Sequence, residues 1–306
     1  MNAKILIIVD TPGWALDRTA DNVIRRLSHL YTFEKVFNDR AVETIRKKNF
    51  DLLYLTYWRQ FQDAGIVMHD LPVAITGIRS HFKWDHGKGL PPSSGMIAEI
   101  NRYRAVNVPS RILFNIFKDR HPALFYTPHG VDETVFKPSN NPFSSPRGKL
   151  VIGWAGSKSN HPGKRGLEDL LVPALNGLEG ITLQTAARED KWRTPEEMVA
   201  FYQSLDAYIC TSRTEGGPHP LLEAAACGIP IISSPVGLAP ELIKNNENGL
   251  IIERNILSIQ KALIALRDHP DRRHHMGQSA REIIETSWTW DIQAEKYIRF
   301  LNKGLA

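Results

Sequence analysis

Short runs of apolar residues alternate with amphipathic stretches along the whole chain. Eleven runs are rich in apolar residues and have the length of β-strands: residues 4–10, 33–37, 51–56, 72–76, 104–108, 123–127, 149–155, 181–185, 206–210, 230–234 and 248–253. Eleven stretches between and after them have helical character: 19–30, 41–48, 93–102, 110–117, 166–178, 195–205, 220–227, 240–245, 256–267, 271–286 and 291–302. Continuously apolar strands separated by helices are typical of parallel sheets that are covered on both faces. The pattern predicts an α/β protein with two Rossmann-like, doubly wound parallel-sheet domains.

A segment without periodicity separates the two predicted sheets. Residues 137–148, KPSNNPFSSPRG, contain three prolines and three serines, which is typical of a linker. We therefore predict an N-terminal domain over residues 1–145 and a second domain over residues 146–286. Ligands of doubly wound sheets bind beyond the carboxyl ends of the strands, so we expect the site in the cleft where the two domains face each other.

Length and composition are those of a globular protein. The chain has 306 residues, of which 42% are hydrophobic and 23% charged. No apolar run approaches the ~20 residues that a membrane-spanning helix needs. The five-residue apolar run near the N-terminus is too short for the core of a signal peptide. Cys210 and Cys227 stand in apolar runs, where we expect free core thiols, and a cytoplasmic location follows from these features.

The net charge of +5 lies entirely in the first half of the chain. Residues 1–145 contain 19 Lys and Arg against 14 Asp and Glu, whereas residues 146–306 contain 19 of each. A basic half attracts anionic partners such as lipid headgroups, pyrophosphate-linked carriers or nucleic acid, and an ordinary solvated surface explains the excess equally well. No recognition-helix or basic-aromatic strand pattern accompanies it, so nucleic acid is the weakest of these partners.

The most informative segment is residues 214–228, TEGGPHPLLEAAACG. It places Glu215 and Glu223 eight residues apart, with a Gly/Pro loop between them and a helix that begins around Pro220. Amides at the start of a helix carry partial positive charge and bind phosphate. Ionised carboxylates only accept hydrogen bonds, so their partners would be hydroxyls, such as those of a sugar and a ribose. The segment therefore predicts a site for a nucleotide diphosphate-sugar.

Four segments, in this order, resemble the retaining glycosyltransferases of the GT-B fold, family 4 type (glycosyl transferases group 1). They are YTPHGVDETVFKP at residues 126–138, the strand–glycine–basic loop–helix segment at 151–171, the Glu-x7-Glu segment with the following ACGIPIISSPVGLAPELIKNNENGLII, and SWTWDIQAEKYIRF at 287–300. The resemblance covers the chain from residue 126 to the C-terminus and extends poorly to the first half.

The resemblance implies that a sugar is transferred from a nucleotide diphosphate-sugar donor to an acceptor hydroxyl with retention of the anomeric configuration. It implies no metal and no other cofactor, because the nucleotide sugar is a co-substrate. The acceptor would be a glycan or a lipid-linked molecule in glycan or surface-polysaccharide biosynthesis, and the enzyme would work in the cytoplasm or peripherally at the inner face of the membrane. In this fold the C-terminal helix, residues 287–306 here, crosses back onto the first domain.

The resemblance also assigns roles to single residues. Glu215 would contact hydroxyls of the donor sugar and Glu223 those of the ribose. Lys164 matches the lysine that neutralises the diphosphate, while Lys158 would replace the arginine of the family, whose expected place is taken by Ser157. The remaining donor-binding positions of the Glu-x7-Glu segment are Gly216, Gly217, His219, Pro220, Leu221 and Leu222.

The chain departs from the family pattern within this segment. Pro218 stands where the family has glycine and removes one amide donor. His219 either supplies a side-chain donor instead or lies at the start of the helix without contacting the donor. The alternative for Glu223 is an acid favoured by the helix dipole, and the alternative for Glu215 is a solvated loop acid, but the matching residues around both favour the role in donor binding.

Three further residues complete the predicted site. Gly13, after the first strand, matches the acceptor loop of the family, where glycine would let the backbone approach the donor phosphates, although a plain turn is an equal interpretation. His81 lies near the position of a histidine close to the reacting centre, and a surface histidine is the alternative. Arg188 follows the strand at 181–185 and would border the nucleobase.

Three other functions are alternatives to sugar transfer. A GT-B-like nucleotide-sugar epimerase would act on the donor without an acceptor. A nucleic-acid glucosyltransferase would use the basic first half and bind duplexes with a steep salt dependence. A degenerate, inactive member of the fold would explain Pro218.

Overall fold

The computed structural model describes residues 2–67, 73–81, 84, 89–140, 144–159 and 163–306, and these form two compact units. The first unit contains Met1–His129 together with Trp290–Ala306, and the second contains Gly130–Thr289. Parts of three sequence-based predictions fall outside the described residues: residue 72 of a predicted strand, 141–143 of the predicted linker, and 160–162 of the predicted phosphate-binding segment.

The first unit is built on a parallel sheet of six strands in the order β2-β1-β3-β4-β5-β6. The strands are β1 Lys4–Val9, β2 Thr32–Phe37, β3 Leu52–Leu55, β4 Ala74–Gly77, β5 Val106–Val108 and β6 Leu124–Tyr126. The second unit has a parallel sheet of five strands in the order β11-β10-β9-β7-β8. Its strands are β7 Leu150–Gly156, β8 Ile181–Ala187, β9 Ala207–Cys210, β10 Ile231–Ser233 and β11 Gly249–Ile251.

Helices connect the strands and cover both faces of each sheet. They are α1 Ala15–Leu27, α2 Asn38–Lys47, α3 Gln60–Asp63, α4 Ser94–Ile100, α5 Arg111–Phe117, α6 Val172–Leu175, α7 Pro195–Gln203, α8 His219–Ala226, α9 Ala239–Leu242, α10 Ile256–Asp268, α11 Pro270–Ser287 and α12 Trp290–Leu305. A π-helical turn, Leu167–Leu171, precedes α6. In both sheets the chain winds outwards in two directions from the first strand, as the apolar pattern predicted.

Alternate residues of the strands supply the two cores of each unit. In the first unit Ile5 and Ile7 pack on one face of the sheet, and Leu6 and Ile8 pack on the other, so that the whole of β1 is buried apart from its first residue. In the second unit the faces are formed around Trp154 and Tyr208. Burial on both faces is the physical reason why the central strands β1, β7 and β9 consist mostly of apolar residues.

The last helix belongs to the first unit. Trp290, Tyr297 and Phe300 of α12 are buried in the cluster that also contains Leu52. A Cβ atom at Gly304 would lie 2.8 Å from Ile75 Cγ2 and 2.9 Å from Leu52 Cδ1, so the absence of a side chain lets the helix end lie directly on the sheet.

Among the described residues, the sequence pattern located all eleven strands and misplaced some helix ends. Helix α1 begins at Ala15 rather than at residue 19, and α3 was not expected. The units divide between His129 and Gly130, earlier than the Pro/Ser-rich segment at 137–148. The reason is that Val131 and Phe136 pack in a core of the second unit and that the Val131 amide donates to the Trp288 carbonyl oxygen at 2.9 Å.

Candidate functional site

Glu215 lies beyond the carboxyl end of β9, where its carboxylate meets a guanidinium group. Its Oε1 accepts hydrogen bonds from Arg165 Nη1 and, at 2.8 Å, from the Ser212 hydroxyl. The Glu215 side chain is 12% exposed and that of Arg165 is 34% exposed. A carboxylate oriented by two donors and close to solvent can still accept hydrogen bonds from hydroxyl groups of a ligand. The predicted contact of Glu215 with the donor sugar stays a prediction.

Arg165 is the residue that the sequence analysis missed. It stands directly before Gly166, whose φ of +77° turns the chain into the π-helical turn. The Thr211 hydroxyl donates to the Arg165 carbonyl oxygen at 2.8 Å, and a Cβ atom at Gly166 would lie 2.4 Å from the Thr211 carbonyl oxygen. The chain after β9 therefore holds the backbone of Arg165 in close contact, which aims its guanidinium at Glu215. The sequence shows that Arg165 is a cation directly before a glycine, but it does not show the contact with Glu215, which lies fifty positions away.

A second arginine, Arg254, also holds the loop that carries Arg165. Arg254, which follows β11, donates from Nε to the Thr211 carbonyl oxygen and from Nη2 to the Gly163 carbonyl oxygen, both at 3.0 Å. Its guanidinium also bonds Asp169 at 3.1 Å. The loop that carries Arg165 is thus tied to the ends of β9 and β11, and its position depends on the sheet rather than on local sequence.

Lys164, the cation selected from the sequence, contributes to this loop through its backbone. Its carbonyl oxygen accepts from the Arg213 amide at 2.7 Å, and its ammonium nitrogen is shielded from solvent. Arg165 rather than Lys164 contacts Glu215 in the structure. The predicted role of Lys164 at a diphosphate stays a prediction.

Ser157 and Lys158 follow β7, and both are engaged by acids of the loop after β8. The Ser157 hydroxyl donates to Glu189 Oε1 at 2.5 Å, and the Lys158 ammonium lies 2.9 Å from Asp190 Oδ2. Hydrogen bonds from the Ser157 hydroxyl, the Lys158 amide and the Ser159 hydroxyl hold the pKa of the Glu189 carboxyl well below its usual range. A cavity of about 120 Å³ lies beside this loop and is lined by Ser157, Lys158, Arg165 and Gly166 among others.

Glu223, the second acid of the motif, points into the protein. It is 3% exposed, and its Oε2 accepts a hydrogen bond of 2.8 Å from the hydroxyl of Tyr202, which is 0% exposed. Burial, and secondly the Glu223 carboxylate, raise the pKa of Tyr202 well above its usual range. The same two causes raise the pKa of Cys227 to about 12. Any contact between Glu223 and a ribose stays a prediction, and the structure shows a buried carboxylate that is hydrogen-bonded by a tyrosine.

The loop between the two acids is packed against the segment after β10. A Cβ atom at Gly237 would lie 2.8 Å from the Gly216 carbonyl oxygen and 3.0 Å from Pro218 Cδ. Helix α8 then begins at His219, with Pro218 as its N-cap and Pro220 in the first turn. Leu221 and Leu222 are 0% exposed, so their side chains belong to the core of the second unit. The loop residues Gly216, Gly217, His219 and Pro220 remain predicted donor contacts.

The three remaining predicted residues, Gly13, His81 and Arg188, follow strands β1, β4 and β8. The Gly13 amide (φ +74°) donates to Asp17 Oδ2 at 2.7 Å, and the His81 ring lies 5.2 Å from that of Trp84. Both residues belong to the first unit. Arg188 is exposed after β8, where its amide donates to the Gly156 carbonyl oxygen at 3.0 Å. These placements leave the predicted roles of Gly13, His81 and Arg188 untested.

No group of three or more His, Cys, Asp or Glu in the described ranges could hold a metal ion, and Cys210 and Cys227 are free and buried. In the part of the chain that the structure describes, no helix is long and apolar enough to cross a membrane.

The segment that contains both glutamates matches a known protein family. Residues 191–283, which include Glu215 and Glu223, match the family described as glycosyl transferases group 1. This segment of the chain is similar to that family. The resemblance seen in the sequence is therefore confirmed for the segment around the two glutamates, whereas Arg165 and Lys164 lie before the matched residues.

Curated relatives match over part of their length. The chain is 32% identical over 114 residues to the GDP-mannose-dependent monoacylated alpha-(1-6)-phosphatidylinositol monomannoside mannosyltransferase of Corynebacterium glutamicum, covering 35% of this chain and 30% of that protein. It is 29% identical over 184 residues to the D-inositol 3-phosphate glycosyltransferase of an Arthrobacter species, covering 50% of this chain and 44% of that protein. The matched region is thus less than half the length of either relative.

Solved structures share the fold over nearly the whole chain. Sucrose-phosphate synthase from Thermosynechococcus elongatus superposes with a TM-score of 0.74 at 13% identity and covers 99% of both chains. Anabaena HepE, in complex with UDP and glucose, has a TM-score of 0.72 at 15% identity and covers 98% of this chain and 100% of that one. The predicted GT-B fold class is confirmed, and at these identities the likeness concerns the fold alone.

Proposed function

We propose that this protein is a retaining glycosyltransferase that moves a sugar from a nucleotide diphosphate-sugar donor to an acceptor hydroxyl, without a metal ion. The observation that carries the proposal is the placement of Glu215, inside the matched region, against Arg165 at the carboxyl edge of the second sheet. A cation for the diphosphate and an acceptor of hydroxyl hydrogen bonds then lie side by side. In doubly wound sheets ligands bind at this edge, next to the strand where the order reverses.

Charge stabilisation would supply the catalysis. When the bond between sugar and diphosphate breaks, negative charge grows on the leaving phosphate, and a preorganised cation next to it lowers the barrier. Arg165 has the required charge and is held by its loop, with Lys164 and Lys158 as further cations of the same region. Glu215 would orient the donor through a sugar hydroxyl.

The acceptor is proposed as a glycan or a lipid-linked molecule in glycan or surface-polysaccharide biosynthesis. The relative from Corynebacterium glutamicum carries phosphatidylinositol monomannoside in its name, which supports a lipid-linked acceptor. The basic first half supports peripheral contact with an anionic membrane surface. Co-sedimentation with vesicles of anionic lipid should decrease as salt rises, and equal binding to neutral vesicles would contradict this part of the proposal.

The donor is tested first by binding and then by turnover. UDP, GDP and ADP, and the corresponding sugar conjugates such as UDP-glucose and GDP-mannose, are screened for a rise in melting temperature, because a ligand that binds only the folded state stabilises it. Transfer is measured as release of the nucleoside diphosphate that depends on an added acceptor. Conversion of the donor in the absence of an acceptor would instead indicate the epimerase, and the anomeric configuration of the product, read by NMR, tests retention.

Glu215→Gln is the decisive variant. It keeps the shape of the side chain and removes its charge, so we expect transfer to be lost while the melting temperature stays close to that of the wild type. Glu247→Gln is the matched control, because the Glu247 side chain is 68% exposed and its ion-pair partner, Lys244, lies 4.0 Å away. Unchanged turnover in Glu215→Gln would remove this residue from the proposed site.

A further inference from the structure

Residues 157–159, directly after β7, hold a carboxylate of their own chain. The Ser157 hydroxyl (2.5 Å) and the Ser159 hydroxyl (2.7 Å) both donate to Glu189 Oε1. The Lys158 amide donates to Oε2 at 2.9 Å, and the Ser159 amide donates to Oε1 at 3.2 Å. Glu189 therefore accepts four hydrogen bonds, two from successive backbone amides and two from hydroxyls.

Such a set of donors is an anion-binding site. Successive backbone amides that point to one place form a concavity that binds phosphate and other anions, and hydroxyls at the same place add donors. The low pKa of Glu189 means that its carboxylate is ionised throughout the physiological range. A carboxylate of the protein thus occupies a set of donors of the kind that binds anions.

The next residue, Asp190, binds the side chain of Lys158, the cation of this segment. Asp190 Oδ1 and Oδ2 lie 3.0 and 2.9 Å from the Lys158 ammonium. Both groups that the segment could offer to a diphosphate, its donors and its lysine, are therefore bound by consecutive acids of one loop. The register of the sheet explains this, because β7 and β8 run parallel with Gly156 opposite Ala187, so their loops leave the same edge side by side.

The position of this contact connects it to the proposed donor site. The cavity of about 120 Å³ beside residues 157–159 is also lined by Arg165 and Gly166. A phosphate group in this cavity would come within reach of Arg165 and of the donors that now face Glu189. A carboxylate and a phosphate cannot share the same four donors, so one must leave when the other binds.

We propose that Glu189 is an internal anion that competes with the phosphate groups of the donor for residues 157–159, and that Asp190 withdraws Lys158 in the same state. The inference rests on the proposed function and adds a determinant of donor affinity to it. Binding of the nucleotide diphosphate then requires that the loop after β8 releases residues 157–159, which makes this loop the element that sets how tightly the donor is held.

The size of the effect follows from the fraction of molecules in which the donors are accessible. An apparent dissociation constant equals the intrinsic one divided by that fraction, so a loop that is occupied by Glu189 about 90% of the time weakens phosphate binding about tenfold. Removing the charge of Glu189 should recover this factor.

The test compares Glu189→Gln with Glu196→Gln. Glutamine has the shape of glutamate, but it lacks the charge, and its NH₂ group cannot accept from the amides. Glu196, in the first turn of α7, is exposed and bonded to its own turn, so its variant makes the same change in net charge without contacting residues 157–159. Isothermal titration with UDP, GDP and inorganic pyrophosphate measures affinity, and thermal melts confirm that each variant is folded.

We expect Glu189→Gln to bind pyrophosphate and the preferred nucleoside diphosphate about tenfold more tightly, and Glu196→Gln to match the wild type. Unchanged or weaker binding in Glu189→Gln would overturn the inference and leave the proposed function intact. If neither the wild type nor the variants bind any nucleoside diphosphate, both fail. Asp190→Asn tests the same idea through Lys158 and should also raise the affinity for pyrophosphate, and a decrease there would count against the proposal.

Discussion

The guanidinium of Arg165 donates to the carboxylate of Glu215, a residue fifty positions further along the chain. The contact joins the loop after β7 to the loop after β9 at the carboxyl edge of the second sheet. It brings a positive charge next to the acid that lies in the family-matched region. Thr211 donates to the backbone of Arg165, and Arg254 donates in turn to the backbone of Thr211. The loop after β7 therefore positions Arg165 without a bound ligand.

Replacing Arg165 should lower the affinity for the donor more than replacing Lys164. We expect Arg165→Ala to weaken binding of the nucleoside diphosphate by roughly 10–150-fold, the equivalent of one lost charge-assisted hydrogen bond of ~1.5–3 kcal/mol. Lys164→Ala should have a smaller effect, because its ammonium is shielded and does not contact Glu215. Titration calorimetry decides between them, and a larger loss in Lys164→Ala would restore the assignment made from the sequence.

The loop that carries Arg165 depends on Gly166. Alanine at this position would need the φ of +77° and would place its Cβ 2.4 Å from the Thr211 carbonyl oxygen. Gly177→Ala is the matched control, since Gly177 has a φ of +76° and, among the described residues, no heavy atom within 4 Å of its Cβ position. We expect the control to lose ~1–2 kcal/mol of unfolding free energy through its backbone alone, and Gly166→Ala to lose a further ~1–3 kcal/mol through the overlap. Urea unfolding measures both, and equal losses would contradict the argument.

The buried pair of Tyr202 and Glu223 should matter for stability. Tyr202→Phe removes the donor at 2.8 Å and leaves a buried carboxylate oxygen without it, which should cost ~1–3 kcal/mol of unfolding free energy. Tyr208→Phe is the comparison, because the Tyr208 hydroxyl donates to the neutral Ala155 carbonyl oxygen at 3.3 Å. Its loss should be about 1 kcal/mol or less. A loss in Tyr202→Phe no greater than in Tyr208→Phe would show that Glu223 is satisfied without the tyrosine.

Cys227 should resist thiol reagents in the folded protein. Burial raises its pKa to about 12, so the reactive thiolate is a minute fraction at pH 8. Labelling with iodoacetamide, followed by peptide mapping, should modify Cys227 only on unfolding. Because its pKa is raised in the folded state, the native protein keeps a proton that the unfolded chain loses above about pH 9. The contribution of this thiol to stability should therefore fall as the pH rises from about 9 to about 12, at up to ~1.4 kcal/mol per pH unit. Rapid labelling at pH 8 would contradict the burial of this thiol.

Periodicity and local composition were enough to predict the strands, the two parallel sheets and the segment that contains Glu215 and Glu223. These features depend on neighbouring residues: an apolar run identifies a strand buried on both faces, and a Gly/Pro loop before an alanine-rich helix identifies a helix start. Tertiary structure alone decided which side chains meet. Arg165 rather than Lys164 reaches Glu215, and Glu189 fills the donors of residues 157–159, because parallel strands bring together loops that are 30 to 50 residues apart. Contacts at such separations follow from the register of the sheet and the closure of the loops, and no local pattern encodes them.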